Sequence, residues 1–226
     1  MTEGATYPSL RDRVVFISGG GSGIGAAIVE AFCEQHAKVA FVDRDVEASE
    51  ATVDLIRDRG LPAPDFTECD LRDIAAYQAA IAGVASRLGP ITALVNNAAH
   101  DERHRIEDVT PEYWDDRMAV NLRHQFFAVQ AVREGMAAAG GGAIVNLGSV
   151  TWMIGQGGMP AYSAAKAAIM GLTRSLARDL GPDNIRVNSV LPGWIMTQRQ
   201  IENWLTPEGE AELMQRQCLK RKLTPE

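Results

Sequence analysis

Tyr162 and Lys166, separated by Ser163-Ala164-Ala165, are the residues whose types and spacing carry the most chemistry, and Ser149 lies thirteen residues before Tyr162. Four residues apart on a helix, a phenol and an ammonium share one face, about a turn from each other. A free phenol has a pKa of about 10. An ammonium within reach stabilises the phenolate, lowers that value and brings proton exchange toward neutral pH. An amphipathic helix that packs a tyrosine over a lysine stem gives the same spacing with no chemistry at all. The choice depends on what the rest of the chain brings to the pair.

Other candidates are weaker. His100 and His104 flank Asp101-Glu102-Arg103 at an (i, i+4) spacing that could begin a metal site, but no third ligand is grouped with them. No metal is expected, and a polar loop at a pocket mouth, contacting a hydroxylated substrate, fits the mixed charge better. Cys33, Cys69 and Cys218 are odd in number and widely separated, as reduced thiols in a reducing compartment would be. A net charge of −7, dispersed along the chain, argues against a nucleic-acid or anionic-membrane surface. Residues 1–10 lack an apolar signal core, and no apolar run is long enough to span a bilayer. A cytoplasmic protein is expected. Its 226 residues, 46% hydrophobic, can build a sizeable core, and no repeat or linker divides them, so one domain over 1–226 is predicted.

The elements around the pair alternate. Val14-Val15-Phe16-Ile17 is a continuous apolar run, as in a parallel strand buried on both faces. It leads into Ser18-Gly19-Gly20-Gly21-Ser22-Gly23-Ile24-Gly25 and then a helical pattern over 26–36. Strand, glycine loop and helix form a phosphate cradle, because glycine lets the backbone approach and a helix N-terminus offers unpaired N–H groups. Gly21-x-Gly23-x-x-Ala26 fits the general dinucleotide fingerprint, and Gly19-x-x-x-Gly23-x-Gly25 overlaps it in a second register. The next strand, Val39-Ala40-Phe41-Val42, ends at Asp43, twenty residues after Gly23. An acid there can bond ribose hydroxyls and repels a 2′-phosphate, which favours NAD over NADP, while the neighbouring Arg44 could accept a phosphate by swinging inward.

Helices are predicted over 47–59 and 74–88, and strands over 65–69 and 91–95, the last running into Asn96-Asn97-Ala98-Ala99. Thr110-Pro111-Glu112 starts a helix expected to continue to about Ala138 and to carry Asn121 among apolar residues. A fifth strand, 142–147, ends at Gly148-Ser149. The helix bearing Tyr162 and Lys166 covers 160–180, and a sixth strand, 186–191, ends at Pro192-Gly193. This rhythm implies right-handed βαβ crossovers and a doubly wound, Rossmann-like α/β sheet with helices on both faces. Ligands then bind beyond the carboxyl ends of its strands.

Taken together, Gly19-x-x-x-Gly23-x-Gly25, Asp70, Asn96-Asn97-Ala98, Asn121, Ser149, Tyr162-x-x-x-Lys166 and Pro192-Gly193 resemble the short-chain dehydrogenase/reductase family in order and spacing over essentially residues 11–226. Ser18 and Ala99 depart from its usual threonine and glycine. The resemblance implies a catalytic tetrad of Asn121, Ser149, Tyr162 and Lys166, with Asn121 holding a relay water. It implies NAD contacts at Gly19, Ser22, Gly23, Ile24, Gly25, Asp43, Arg44, Asp70, Leu71, Asn97, Ala98, Tyr162, Lys166, Pro192, Gly193, Ile195 and Thr197. It further implies a homo-oligomer, tetramer or dimer, and a substrate lid of two short helices over about 194–220.

Tyr7-Pro8-Ser9-Leu10, the Asp101–His104 loop, Tyr113-Trp114-Asp115, Asn121-Leu122-Arg123-His124 and Thr206-Pro207-Glu208-Gly209-Glu210 are similar to bacterial NAD-dependent aldose 1-dehydrogenases. That narrower likeness implies a sugar or related alcohol as substrate. Its contacts would come from Asp101, Arg103, His104, Ser149, Trp152, Gln156, Trp194 and Trp204, although the tryptophans serve equally well as ordinary packing. A ketone reductase of the 3-oxoacyl type and a non-catalytic NAD-binding protein are the alternatives. Thr224-Pro225-Glu226 reads as a helix start, and the family's last helix and seventh strand are not found after the sixth strand.

Overall fold

The computed structural model describes residues 5–226. Six strands, β1 (Val14–Ser18), β2 (Lys38–Asp43), β3 (Asp65–Glu68), β4 (Ala93–Asn96), β5 (Gly142–Leu147) and β6 (Ile185–Val190), form one sheet in the order β3-β2-β1-β4-β5-β6. Every pairing is parallel. The winding direction reverses between β1 and β4, where Ser18 lies opposite Asn96. This is the switch point at which such sheets open a crevice.

All five residues of β1 are buried, which explains the continuous rather than alternating apolar run. Val14 and Phe16 point into one layer with Tyr77 and Ile81 of α3 (Ile74–Leu88). Val15 and Ile17 point into the other with Val29 and Cys33 of α1 (Gly23–Glu34) and Ile56 of α2 (Val46–Asp58). Each such side chain contributes roughly 1.5–3 kcal/mol of transfer free energy, and that fixes which way the strand faces. Asp45 and Asp73 cap α2 and α3 by accepting from the N–H groups of Ala48 and Ala76 at 3.1 and 3.0 Å.

Most predicted boundaries hold to within one residue, and three shift further. Helix α1 starts at Gly23 instead of residue 26, so glycines of the loop are its first turn. Ile91 is buried but precedes β4, whose pairing begins at Ala93. The long helix expected from Thr110 to Ala138 is two helices, α4 (Pro111–Met118) and α5 (His124–Ala138), joined by one π-helical turn, Ala119–Arg123. A π turn cannot be told from an α turn by hydrophobic periodicity, and such turns concentrate at functional positions. Helix α6 (Pro160–Leu180) falls where predicted. After β6 come α7 (Gln198–Asn203) and α8 (Pro207–Arg216), then an isolated parallel bridge of Ile195 to Leu223. Strand β6 is the outermost of the described sheet on that side, and Arg186 and Asn188 are exposed along it.

Candidate active site

The carboxyl ends of the strands open onto a cleft of about 930 Å³. Its floor is the glycine loop. The Ser18 hydroxyl accepts hydrogen bonds from the Asn97 and Ala98 N–H groups at 3.1 and 3.2 Å, so serine performs the bonding for which the hydroxyl was expected to matter. The Asn97 amide donates back to the carbonyls of Ser18 and Gly19 at 3.1 and 2.8 Å, stapling the loop to β4. Glycine is required at two of these positions. Gly19 has φ +72°, and a Cβ there would lie 2.8 Å from Ala98 Cα. A Cβ on Gly25 would collide with the Gly19 carbonyl.

The fit to a dinucleotide can be tested on the same residues. The Ser22 side chain makes no cap hydrogen bond, which leaves the first-turn N–H groups of a twelve-residue helix facing the cleft for an anion. Asp43 ends β2 at the cleft wall, and its carboxylate accepts from the N–H groups of Gly21 and Asp45 at 3.0 and 3.1 Å. It therefore shapes the loop as well as the wall. Arg44 is exposed and has no ion-pair partner among the described residues. Asp70 is gripped by Arg72 at 2.9 and 3.0 Å, and Arg72 reaches on to Asp116 at 2.8 Å. The arginine holds the Asp70 carboxyl below its usual range. Arg72 went unnoticed in the sequence, where its only signal was its place two residues after Asp70. Leu71, Ile24, Ala98, Pro192, Gly193, Ile195 and Thr197 also line the cleft. Phosphate cradle, acidic wall and a cleft of this size together suit a nicotinamide dinucleotide.

Tyr162 and Lys166 stand on α6 at the far end of the cleft, beside Ser149 from the loop after β5. Lys166 is 1% exposed, donates to the Leu147 carbonyl at 2.7 Å, and holds Nζ 5.6 Å from the Tyr162 ring centroid. Burial pulls Lys166 down to about 7, against an upward pull from the charge of Asp101. Burial likewise pushes Tyr162 up to about 12, and the Ser149 hydroxyl draws it back while Asp101 adds to the rise. In the protein alone, burial and not a neighbouring charge dominates at both groups. Both charged forms lose hydration on burial, and that loss is the largest influence on each.

Asn121 also differs from expectation. It sits on the π turn, fully buried, below the cleft and not on its surface. Its side chain accepts from the His100 N–H at 2.8 Å and donates to the carbonyls of His100 and Arg117 at 3.2 and 3.0 Å. Those bonds occupy the amide on backbone and tie the loop after β4 to the body of the protein.

Of the eight expected substrate contacts, Asp101, Arg103, Ser149, Gln156, Trp194 and Trp204 line the cleft. His104 does not. Its ring meets the Tyr113 hydroxyl at 2.9 Å and its N–H donates to the Gly158 carbonyl at 2.8 Å, so it anchors the loop to neighbouring segments. Trp152 lies outside the lining, 38% exposed on the turn after Ser149. Arg199 and Gln200, which the sequence did not single out, take part instead. Gln200 receives the Trp194 indole N–H at 2.8 Å and donates to Asp101 at 2.6 Å, and Arg199 donates to the other Asp101 oxygen at 3.2 Å. The Arg103 guanidinium lies 4.5 Å from the Trp204 ring centroid. No group of three metal-ligating side chains occurs among the described residues, and no described helix is long and apolar enough to cross a membrane.

A dinucleotide cradle facing a serine, a tyrosine and a lysine is an arrangement for moving hydride and proton between a hydroxyl carbon and a nicotinamide. The profile of the short chain dehydrogenases matches residues 13–207, and the chain belongs to that family, oxidoreductases acting on CH–OH groups with a nicotinamide cofactor. Among its relatives is a protein of Rhizobium meliloti named a probable galactose dehydrogenase, 52% identical over 217 residues, covering 96% of this chain and 85% of the relative. A D-xylose 1-dehydrogenase of Caulobacter vibrioides is 48% identical over 222 residues, covering 98% and 87%. The crystal structure of a 3-oxoacyl-[acyl-carrier protein] reductase from Brucella melitensis superposes with a TM-score of 0.87 at 32% identity, covering all of this chain and 86% of that one.

Proposed function

We propose that the protein oxidises C1 of an aldose with NAD, giving the aldonolactone. The observation that carries the reaction is the buried Tyr162–Lys166 pair with Ser149, set in one cleft with the glycine loop and Asp43. Asp43 supports NAD over NADP, since its carboxylate sits where a 2′-phosphate would be repelled. The likeness to proteins named for galactose and xylose supports the sugar.

Ser149 and Tyr162 hold the substrate hydroxyl by hydrogen bonds, and Tyr162 takes its proton as the C1 hydrogen leaves with its electron pair. When bound, NAD supplies the hydride acceptor and a positive charge that favours the phenolate. Lys166, whose ammonium burial disfavours, offsets the phenolate when it carries its proton. Asn121 acts by fixing His100 and the cleft wall; a relay water is not assigned to its side-chain amide, which is already bonded to backbone.

A second reading, an NADPH-driven ketone reductase, is favoured by one feature: exposed Arg44, just after β2, with no ion-pair partner among the described residues. A panel of aldoses, sugar acids, secondary alcohols and 3-oxoacyl thioesters, followed by NADH or NADPH absorbance, separates the two. NADH formation with an aldose, and lactone as the first product, is the expected result. Turnover of ketones alone, with NADPH, would sink the reading.

A further inference from the structure

The lid is attached in an unusual way. Helix α7 has six residues and α8 has ten, and neither buries a single one. Apolar packing therefore does little to hold them over the cleft. The polar contacts of α7 converge on one side chain. Asp101 accepts from Gln200 with one carboxylate oxygen and from Arg199 with the other, and the far end of the Gln200 amide takes the Trp194 indole N–H. Trp194, at the lid's entry, is thereby bonded directly to α7, and α7 is tied to the loop after β4 through a single carboxylate.

The loop bearing Asp101 is, by contrast, firmly held. Asn121 grips the His100 backbone on both sides, and the His104 N–H and ring are bonded to Gly158 and Tyr113. A fixed post thus faces a loosely packed flap. Arg103, two residues on, meets Trp204 just beyond the other end of α7. The Asp101–Arg199 pair is partly exposed, with side-chain exposures of 21% and 44%. Such pairs are weak and reversible, which suits a lid that opens each cycle and suits a permanent strut poorly.

We infer that Asp101 is a positioning residue, a latch that closes α7 over the cleft through Gln200 and Arg199, and not a ligand of the substrate. Both of its oxygens are committed to the lid. Its charge is also felt at Tyr162 and Lys166, so the post that holds the lid also keeps a carboxylate near the reacting groups.

The inference concerns the lid of the site proposed above, yet its first test needs no turnover. Hydrogen–deuterium exchange over residues 198–205 is compared among wild type, Asp101→Ala and Gln200→Ala, with β1 and β4 amides as internal references. Both alanine variants are expected to exchange about tenfold faster in that segment, with the references unchanged. Asp101→Asn keeps an acceptor for Gln200 but loses the charge toward Arg199, and should fall between. Segment exchange within about twofold of wild type in both alanine variants would overturn the latch.

On the sugar that the panel identifies, Asp101→Ala should raise KM about tenfold and leave kcat within about threefold. A hundredfold fall in kcat with an undisturbed lid would instead make Asp101 part of the chemistry and defeat the inference. Failure of every sugar to react would remove the proposed function, while the exchange result would still decide the latch.

Discussion

On one side of the cleft the glycine loop rests on a strand with no exposed residue and is stapled by Ser18 and Asn97. On the other side α7 and α8 contain no fully buried residue and are tied down at Asp101, Trp204 and the short bridge at Leu223. The first region binds with backbone, and backbone can be aimed only by a rigid core. The second surrounds a substrate that must enter and leave, and it is held by contacts that break cheaply. Tyr162 and Lys166 sit on α6 between them, on a helix that buries seven of its residues. On the proposed function, chemistry belongs with the rigid side and selectivity with the loose one.

The sharpest test of that division removes the phenol alone. Tyr162→Phe should lower kcat by roughly 10²–10⁴-fold, the usual worth of a general base, with cofactor affinity by fluorescence titration unchanged. Comparable loss of cofactor binding would mean that the two sides are not separable at Tyr162. Next in size is Gly25→Ala. Its Cβ would meet the Gly19 carbonyl, and backbone cannot step aside as a side chain can. A loss of about 1–3 kcal/mol is expected from overpacking, read as a lower unfolding midpoint together with a raised KM for NAD. A variant as stable as wild type would show that the loop is less fixed than its hydrogen bonds indicate.

How legible each side was follows the same division. Strands 142–147 and helix 160–180 could be placed to the residue because burial on both faces, proline and glycine leave strong marks in the sequence. The glycine loop, Asp43, Asn97, Ser149 and Tyr162 were legible by type and spacing, since each is needed at the end of a strand or on one helix face. The π turn was not, because Asn121 among apolar residues reads alike in either helical form. His104 and Trp152 were assigned to the cleft by their chemistry, but a loop has no period to say which way a side chain turns. Arg199 and Gln200 were missed for the converse reason: polar residues on a short helix look solvated until Asp101, about a hundred residues earlier, is brought beside them. The burial of Tyr162 and Lys166 was not legible, because desolvation is a property of the packed site.

That last point can be measured. Unfolded, a lysine titrates near 10.5, whereas burial brings Lys166 to about 7. Between those values the unfolded chain binds the additional proton, so wild-type stability should rise with pH through the window, by at most about 1.4 kcal/mol per pH unit. Tyr162, raised from 10.0 to about 12, opposes this only above pH 10. Denaturant unfolding at pH 7 and 9 should show the rise in wild type, and Lys166→Met should flatten it. An equal rise in both proteins would place its source elsewhere.

The smallest effect expected is on the loose side, and it runs in the opposite direction to Gly25→Ala. Gly209 lies in the first turns of α8, and its N–H bonds the Thr206 hydroxyl at 3.1 Å, a bond that alanine retains. A Cβ there would lie 3.4 Å from Thr206 Oγ1 and 3.7 Å from the Trp194 ring, which is ordinary contact. Alanine also restricts the unfolded chain and favours helix, so Gly209→Ala should stabilise α8 by about 0.5–1 kcal/mol. Because α8 buries nothing, that gain should appear as slower amide exchange within residues 207–216 and leave the global unfolding midpoint nearly unmoved. A midpoint that rose by the full amount would mean that the lid unfolds together with the sheet. The contrast between a fixed cradle and a separately moving flap would then have to be abandoned.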